Sequence, residues 1–298
     1  MVTTFHVTDA EAGERLDRVV IGRIAGLGRK RASELFAEGR VQVNGRRAAK
    51  GEAAIAATEI VVSLEDVQEV PSEPDAPLVV TLERDDLVIV EKPAGQPSAP
   101  LRGESGTLAG ALLGRYPEMT HVGWSRREPG LLHRLDTHTS GLLVAARAPH
   151  TFERLRRALT AGQIEKRYLA ITHGRGLPDV GTIESGLAAD RGDRRRVLVV
   201  DDAEPRRTTR FTVLRREAEW ALVELRVSRA YRHQIRAHLA HIGHPIAGDA
   251  VYGGPPAAAL GQRHALHASY IAWAGDATVV GFEAEARLPA DMGILMPG

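Results

Sequence analysis

The chain has 298 residues, of which 43% are hydrophobic and 26% are charged, enough for one large core and a small second domain. Its net charge of +1 excludes a strongly basic protein, so a nucleic-acid surface would have to be a local patch. The absence of cysteine excludes disulfides, thiolate metal sites and cysteine nucleophiles. The sequence has no secretory signal pattern and no apolar run long enough to span a membrane. We therefore expect a cytoplasmic protein without membrane contact, and a monomer by default.

Residues 1–66 have the pattern of a small separate α/β module. Apolar residues at helical spacing predict helices over residues 14–25 and 29–38. After them, Asn44-Gly45 lies between short apolar runs and is a strong signal for a tight hairpin turn. We expect two helices followed by a small sheet.

Positive charge is concentrated between residues 15 and 50, where ten Lys or Arg accompany three acidic residues. Such a cluster attracts RNA phosphates without reading base sequence. A charge run is also typical of a solvated helix face, and charge alone leaves both interpretations open. The candidate RNA contacts in this module are Arg29, Lys30, Arg31, Arg46 and Arg47.

The module is predicted to end at a linker over residues 67–77. Pro71, Pro74 and Pro77 alternate there with acidic residues and serine, a composition typical of an extended, semi-rigid spacer. The second and larger domain then covers residues 78–298. Its many strands, few helices and hairpin signals predict an α+β fold with a mixed, mostly antiparallel sheet.

The most unusual stretch of the second domain is 128–147. Here Asp136 lies between His133-Arg134 and a group of hydroxyl side chains, and an apolar run over 142–146 is typical of a buried strand. Polar groups beside a buried strand are costly without partners, so the cluster indicates a site. A solvated turn whose hydroxyls bond their own backbone explains the same spacing. The spacing alone does not decide between them.

Three more residues of this domain are candidates. Lys92 ends an apolar strand beside a Pro-Ala-Gly turn, and it either contacts a phosphate or is a structural lysine. Tyr168 alternates with Lys166 along a predicted strand, so their side chains share a face, although a lone strand tyrosine is usually a packing residue. Arg236 lies beside the apolar stripe of a helix predicted over 231–242.

Two patterns remain open to both a functional and a structural interpretation. Residues 191–216 combine many arginines with acidic residues. This mixture is typical of an RNA contact and equally of a solvated strand edge that resists aggregation. His238, His241 and His244 lie three residues apart, near one helix face, which suggests a metal. Gly243 and Pro245 end that helix, and the nearest acid is distant. We therefore predict no metal and structural histidines, some of them facing phosphate.

Four blocks, in order along residues 82–253, resemble the RluA-type RNA pseudouridine synthases. The first is Leu82–Gly95 with its Lys-Pro-Ala-Gly ending, and the second is His-Arg-Leu-Asp followed by Thr-His-Thr-Ser-Gly-Leu-Leu-Val. The third is Glu-Lys-Arg-Tyr at residues 165–168, and the fourth is His-Gln-Ile-Arg at residues 233–236 with the histidine-rich segment and Gly-Asp after it. Four ordered blocks are far more specific than any one of them.

This resemblance implies a bent, mixed, mostly antiparallel sheet flanked by helices, with the active site in its cleft. It also implies isomerisation of a uridine in structured RNA, rRNA or tRNA, to pseudouridine without a cofactor. Asp136 matches the catalytic aspartate of the family, Arg236 its partner arginine and Tyr168 its tyrosine. Arg134 would contact phosphate beside the extruded uridine. The N-terminal module, in turn, resembles the alpha-L RNA-binding motif.

The chain departs from the family pattern in two places. The fourth block usually begins with Gly-Arg-Thr in the family, whereas residues 230–232 of this chain are Ala-Tyr-Arg. After the first block the family usually has apolar residues and a His-Pro, whereas residues 96–100 of this chain are Gln-Pro-Ser-Ala-Pro. Both changes bear on the choice of substrate more than on the reaction. A non-catalytic RNA-binding protein with the same fold is the main alternative, and a metal-dependent hydrolase is a weaker one.

Overall fold

The structure is a computed structural model, and it describes residues 2–37, 39–64, 70–101, 103–123, 125–200 and 202–296. The chain divides into two compact units, residues 1–69 and 70–298. Glu38, at the predicted end of the second helix, and residues 67–69 of the predicted linker lie outside the described residues. None of the helices in the described ranges is long and apolar enough to cross a membrane.

The described part of the first unit contains two α-helices, a short 3-10 helix (Asp9–Glu11) and a four-stranded antiparallel sheet with strand order β1-β4-β2-β3. Its elements are β1 (Val2–His6), α1 (Leu16–Arg23), α2 (Arg29–Ala37), β2 (Val41–Val43), β3 (Arg46–Arg47) and β4 (Glu59–Ser63). Asn44 and Gly45 have φ angles of 46° and 78°, the left-handed conformation of a tight hairpin turn. Leu16, Val20, Leu35 and Phe36 of the two helices pack in one core with the sheet.

The second unit is built on a large mixed sheet, and the order of its strands is β10-β9-β11-β12-β8-β13-β7-β6-β5, with β14 paired to β13. Only the β13–β7 pair, among the described strands of this sheet, is parallel. The prediction of a mixed, mostly antiparallel sheet flanked by helices is confirmed. The strands are β5 (Val79–Glu83), β6 (Leu87–Lys92), β7 (Ser140–Ala146), β8 (Glu165–His173), β9 (Val180–Ala189), β10 (Val197–Val200), β11 (Arg207–Glu217), β12 (Trp220–Arg226), β13 (Leu266–Gly275) and β14 (Val280–Glu285).

Helices cover the sheet of the second unit on both faces. Every residue of β7 is buried, and alternate residues enter two cores: Leu143 and Ala145 join one, Leu142 and Val144 the other. A strand buried on both faces explains why this run is apolar throughout rather than alternating. The helices are α3 (Leu108–Arg115), α4 (Pro149–Ala161), α5 (Gln234–His241) and α6 (Ala290–Gly293).

The predicted linker continues into the second unit. Val70 is buried in its core, and the Glu73 carboxylate accepts hydrogen bonds from the Gly106 amide at 2.9 Å. The Glu73 amide donates to the carbonyl of Gly110 in α3. Val70 and Glu73 therefore lie against the second unit, because the apolar side chain, the acid and the backbone amide all find partners there.

Candidate active site

The loop between Leu131 and β7 carries Asp136 at the edge of the core. Its side chain is 27% exposed, so the carboxylate is accessible, while Leu135 and Thr139 of the same loop are buried. The Thr139 amide donates to the Asp136 carbonyl at 3.0 Å, which closes a turn directly after the acid. Gly141 follows with a φ of 113°. A Cβ at this position would collide with the backbone of Ala268 on β13, so only glycine allows β7 and β13 to pair here.

Arg236 on α5 connects Asp136 to a second, fully buried carboxylate. Its Nη1 donates to Asp136 Oδ2 at 2.9 Å, while Nε and Nη2 donate to the two oxygens of Asp249 at 2.6 and 2.8 Å. Arg236 is 6% exposed and Asp249 is 1% exposed. Because Asp249 fixes two sides of the planar guanidinium, the third can point only towards Asp136.

The two carboxylates also keep Arg236 charged. Burial by itself lowers the pKa of this guanidinium, but the hydrogen bonds and the charge of Asp249, followed by those of Asp136, outweigh burial and raise the pKa above its ordinary value. The site therefore holds a permanent positive charge beside Asp136.

Tyr168 on β8 lies on the core side of this site. It is 6% exposed, and burial, followed by the negative charge of Asp136, raises the pKa of its hydroxyl. The phenol is therefore neutral at physiological pH and is a hydrogen-bond donor or a packing surface, not a phenolate. Lys166 and Tyr168 are both buried, as their shared face on the strand predicts.

His233 is a further neighbour of Asp136. It precedes α5 with a φ of 54°, a conformation that is costly for a residue with a Cβ. Its Nε2 lies 3.6 Å from Asp136 Oδ2, and its Nδ1 lies 3.1 Å from the Tyr252 hydroxyl. Burial lowers the pKa of His233, with the charge of Asp136 acting in the opposite direction.

The main chain on both sides of Asp136 is held by buried side chains. Before it, the Ser98 hydroxyl donates to the Leu135 carbonyl at 2.8 Å and accepts from the Leu135 amide at 3.1 Å. After it, the Thr137 carbonyl accepts from Lys92 Nζ at 3.1 Å and from the Gly95 amide at 2.8 Å. The loop is therefore fixed at the residues adjacent to the acid.

Of the two interpretations of Lys92, contact with an RNA phosphate is wrong for this structure. Lys92 has no exposed surface, and its ammonium donates to the carbonyls of Pro93, Gln96 and Thr137, which uses all three of its N–H groups. Burial lowers the pKa of Lys92 to about 7, and the charge of Asp136 acts in the opposite direction. Lys92 is the structural lysine that was the alternative interpretation.

Two buried hydroxyl–imidazole pairs support the end of the loop. Thr139 Oγ1 lies 2.7 Å from His264 Nε2, and Ser140 Oγ lies 2.8 Å from His267 Nδ1. Arg263 also donates to Ser140 Oγ at 3.0 Å. Burial lowers the pKa of His264 to about 3 and that of His267 to about 4, so both rings are neutral at physiological pH.

The other predicted RNA contacts lie on the surfaces of the two units. Arg134 is exposed and pairs with Glu128 at 2.9 Å. In the first unit Arg29 and Lys30 are exposed, and Arg31 pairs with Glu34 at 3.2 Å. Two further arginines have partners on their own unit: Arg46 pairs with Glu52, and Arg47 donates to the Ala37 carbonyl.

The histidine repeat is divided among different environments. His238 is fully buried, and its ring nitrogens lie 3.2 and 2.9 Å from the hydroxyls of Ser185 and Thr209. His244 stacks on His173. No cluster of three or more His, Cys, Asp or Glu within the described ranges could hold a metal ion.

Sequence reasoning did not assign roles to Asp249, His233, Tyr252 or Ser98. Asp249 and His233 stand inside the blocks that carry the family resemblance, so their position in those blocks was the available signal. Ser98 lies in a segment that departs from the usual family text, and nothing in its neighbourhood indicates a buried hydroxyl.

Comparisons with known proteins identify the family of this chain. The family model described as RNA pseudouridylate synthase matches residues 86–241, a range that includes Asp136, Tyr168 and Arg236. The chain belongs to the RNA pseudouridine synthase family. It is 36% identical to an uncharacterized RNA pseudouridine synthase of Chloroflexus aurantiacus over 97% of this chain and 91% of that protein. It is 31% identical to the ribosomal large subunit pseudouridine synthase D of Vibrio parahaemolyticus over 98% of this chain and 93% of that protein.

Solved structures support the same fold. Human RNA pseudouridylate synthase domain containing 1 superposes with a TM-score of 0.58 at 22% identity, over 74% of this chain and 89% of that one. A protein of this family is an isomerase that converts uridine in RNA to pseudouridine, and this enzyme class is confirmed for the chain.

Proposed function

We propose that this enzyme isomerises a uridine of structured RNA to pseudouridine with Asp136 as its catalytic carboxylate. The observation that carries the proposal is the hydrogen bond of Arg236 to one oxygen of Asp136, at an accessible position beside Tyr168. The other oxygen, Oδ1, has no hydrogen-bond donor among the described residues. A carboxylate with one oxygen fixed and one open fits the role of a nucleophile.

The reaction requires the ribose–N1 bond of uridine to break, the base to turn, and a ribose–C5 bond to form. C5 loses a proton and N1 gains one, so the overall change needs no redox step. Asp136 attacks either the sugar or the base, and both routes need it ionised. Arg236 would hold one oxygen of this carboxylate in place, and Tyr168 would stack on the base or donate its proton.

We propose large-subunit rRNA as the first substrate to test, with tRNA as the second. Relatives named ribosomal large subunit pseudouridine synthase D match nearly the full chain at 30–31% identity. The target uridine would leave its base stack to reach Asp136, at a cost of a few kcal/mol. Phosphate contacts, among them Arg134, would offset this cost.

We also propose that residues 1–66 bind RNA as an alpha-L type module. A hollow on the first unit has three basic residues, Arg46, Arg47 and Lys50, in its lining. The rest of the lining is Ser33 and four apolar residues, Phe36, Ala37, Ala48 and Ala49. Lys50 Nζ donates to the Ser33 hydroxyl at 3.0 Å, so a flexible ammonium is held at the wall of the hollow. Arg29 and Lys30 add exposed charge on α2.

The test is tritium release from large-subunit rRNA and tRNA transcripts that carry tritium at C5 of uracil, since isomerisation must expel the C5 hydrogen. The wild-type chain should release tritium, and Asp136→Asn should release none while its affinity for RNA stays within a few-fold. A large loss of RNA affinity in Asp136→Asn would make Asp136 structural. Wild type that binds both RNAs but turns over neither would favour the alternative of a non-catalytic RNA-binding protein.

A further inference from the structure

The arginine-rich turn between β9 and β10 is attached to the active site by two contacts. The Val197 amide donates to the Tyr252 hydroxyl at 2.8 Å, the same hydroxyl that lies beside His233 Nδ1. The Arg232 guanidinium donates to the carbonyl of Arg194 in that turn. His233 in turn faces Asp136, so the turn is held two side chains away from the catalytic carboxylate.

Arg232 and Tyr231 belong to the segment that departs from the usual family sequence. Arg232 stands where the family has threonine, and it makes the contact to Arg194. Tyr231 stands where the family has arginine, and it is 36% exposed. The Arg207 guanidinium lies 5.7 Å from the centre of its ring, an arrangement that orients the ring while part of it stays open to solvent.

The acids of the turn are already engaged. Asp190 Oδ1 accepts the amides of Gly192 and Asp193 at 2.8 and 3.1 Å. The Asp193 carboxylate pairs with Arg195 at 2.8 Å. Arg191 and Arg194 are exposed, and neither side chain has a hydrogen bond or an ion pair with another described residue. The turn therefore presents uncompensated positive charge.

We infer that Arg191, Arg194, Tyr231 and Arg232 form a basic rim that binds single-stranded RNA next to the target uridine. The arginines contact phosphates, and Tyr231 stacks on a neighbouring base, the combination by which proteins hold unpaired RNA. The inference rests on the proposed function and deepens it. It assigns the departures at residues 231 and 232 to RNA contact, so these two residues contribute to the choice of RNA.

The variants are Arg194→Gln, Arg232→Thr and Tyr231→Ala, with Tyr231→Phe as the conservative rescue and Arg175→Gln as the matched control. Arg175 is an exposed arginine in the turn after β8, without a described contact to the rim. Affinity is measured for a short fluorescent RNA rich in uridine at several salt concentrations, and turnover is measured with the tritiated rRNA transcript. Thermal unfolding verifies that each variant is folded.

Loss of one phosphate contact should lower the slope of log Kd against log salt by about 1 for Arg194→Gln and for Arg232→Thr. Tyr231→Ala should weaken binding about tenfold without changing the slope, and Tyr231→Phe should restore it, because stacking needs the ring and not the hydroxyl. KM for the transcript should rise more than kcat falls. Arg175→Gln should behave as wild type.

The proposal that the rim binds RNA would be contradicted if both arginine variants kept the wild-type salt slope. It would also be contradicted if Tyr231→Ala bound RNA as tightly as wild type. These arginines would then be a solvated edge beside β10. If the variants change the salt slope as predicted but wild type releases no tritium, the proposed reaction would be contradicted while RNA binding by the rim would be supported. Wild type that does not bind RNA would overturn both.

Discussion

The basic side chains around Asp136 and those on the first unit are of the same types, but most of the former are buried and most of the latter are exposed. Lys92 and Arg236 are 0% and 6% exposed, and protein oxygens fix their donors. Arg29 and Lys30 are exposed, and their side chains contact no described acid. A buried cation can only orient what it already touches, whereas an exposed one is available to a phosphate. Burial, more than residue type, therefore decides which of these cations are available to an RNA phosphate.

The largest expected effect comes from removing the charge at the centre of the buried set. Arg236→Ala leaves Asp249 buried and unpaired, which should cost about 3–5 kcal/mol in the free energy of unfolding and abolish turnover. Urea unfolding and tritium release measure the two losses.

A double variant separates structure from chemistry at this position. Arg236→Met with Asp249→Leu removes both buried charges and should recover most of the stability but none of the turnover. Recovered turnover in the double variant would mean that Arg236 is needed only to neutralise Asp249.

The free energy of unfolding at acidic pH should depend on the protonation of the buried histidines. Burial lowers the pKa of His264 from 6.5 to about 3, and the pKa values of His238 and His267 to about 4. The unfolded chain takes up these protons near pH 6.5, while the folded chain does so only near pH 3–4. Stability present above pH 6.5 should therefore be lost as pH falls from about 6.5 towards 4, by up to about 1.4 kcal/mol per pH unit for each histidine.

Urea unfolding between pH 5 and pH 7 tests this slope. His238→Asn should reduce the pH dependence of the unfolding free energy by the equivalent of about one proton. The same substitution at the exposed His121 is the control for the exchange of residue type. Equal stability at pH 5 and pH 7 would show that these rings are protonated in the folded chain.

A smaller effect is expected from the hydroxyl that holds the residue before Asp136. Ser98→Ala removes both bonds to Leu135 and should lower kcat about 10- to 100-fold through misplacement of the loop, with little change in KM. Thr172→Val is the matched control, since it removes a fully buried hydroxyl bonded to the Pro245 carbonyl. Both should lose similar stability, and an equal loss of kcat in the control would contradict a positioning role for Ser98.

The smallest effect on the chemical step is expected from the first unit. Arg29→Glu with Lys30→Glu should raise KM for the rRNA transcript and reduce the salt slope of binding by about 2, with a much weaker effect on kcat. An unchanged slope would assign this charge to a solvated helix face.

The apolar run after Gly141 and the Asn44-Gly45 turn could be predicted because each depends on neighbours in sequence. The family blocks likewise contain Asp136, Tyr168 and Arg236. The surroundings of Lys92 could not be predicted, because its third acceptor, Thr137, is 45 residues away. A lysine after an apolar strand has the same sequence pattern whether its ammonium points outwards or into a ring of carbonyls.

Asp249 shows the same limit. It lies 13 residues from Arg236 and competes with Asp136, 100 residues away, for one guanidinium. The relative positions of α5, the loop before β7 and the segment after α5 decide which guanidinium nitrogens donate hydrogen bonds to each acid. Periodicity and motif spacing do not contain that information.

The most direct test of the central claim is pseudouridine mapping of total rRNA and tRNA from cells that lack this protein. The same strain is rescued with wild type or with Asp136→Asn, at matched protein levels. The account predicts that a pseudouridine disappears on deletion and returns only with wild type. Its return with Asp136→Asn would contradict catalysis by this carboxylate.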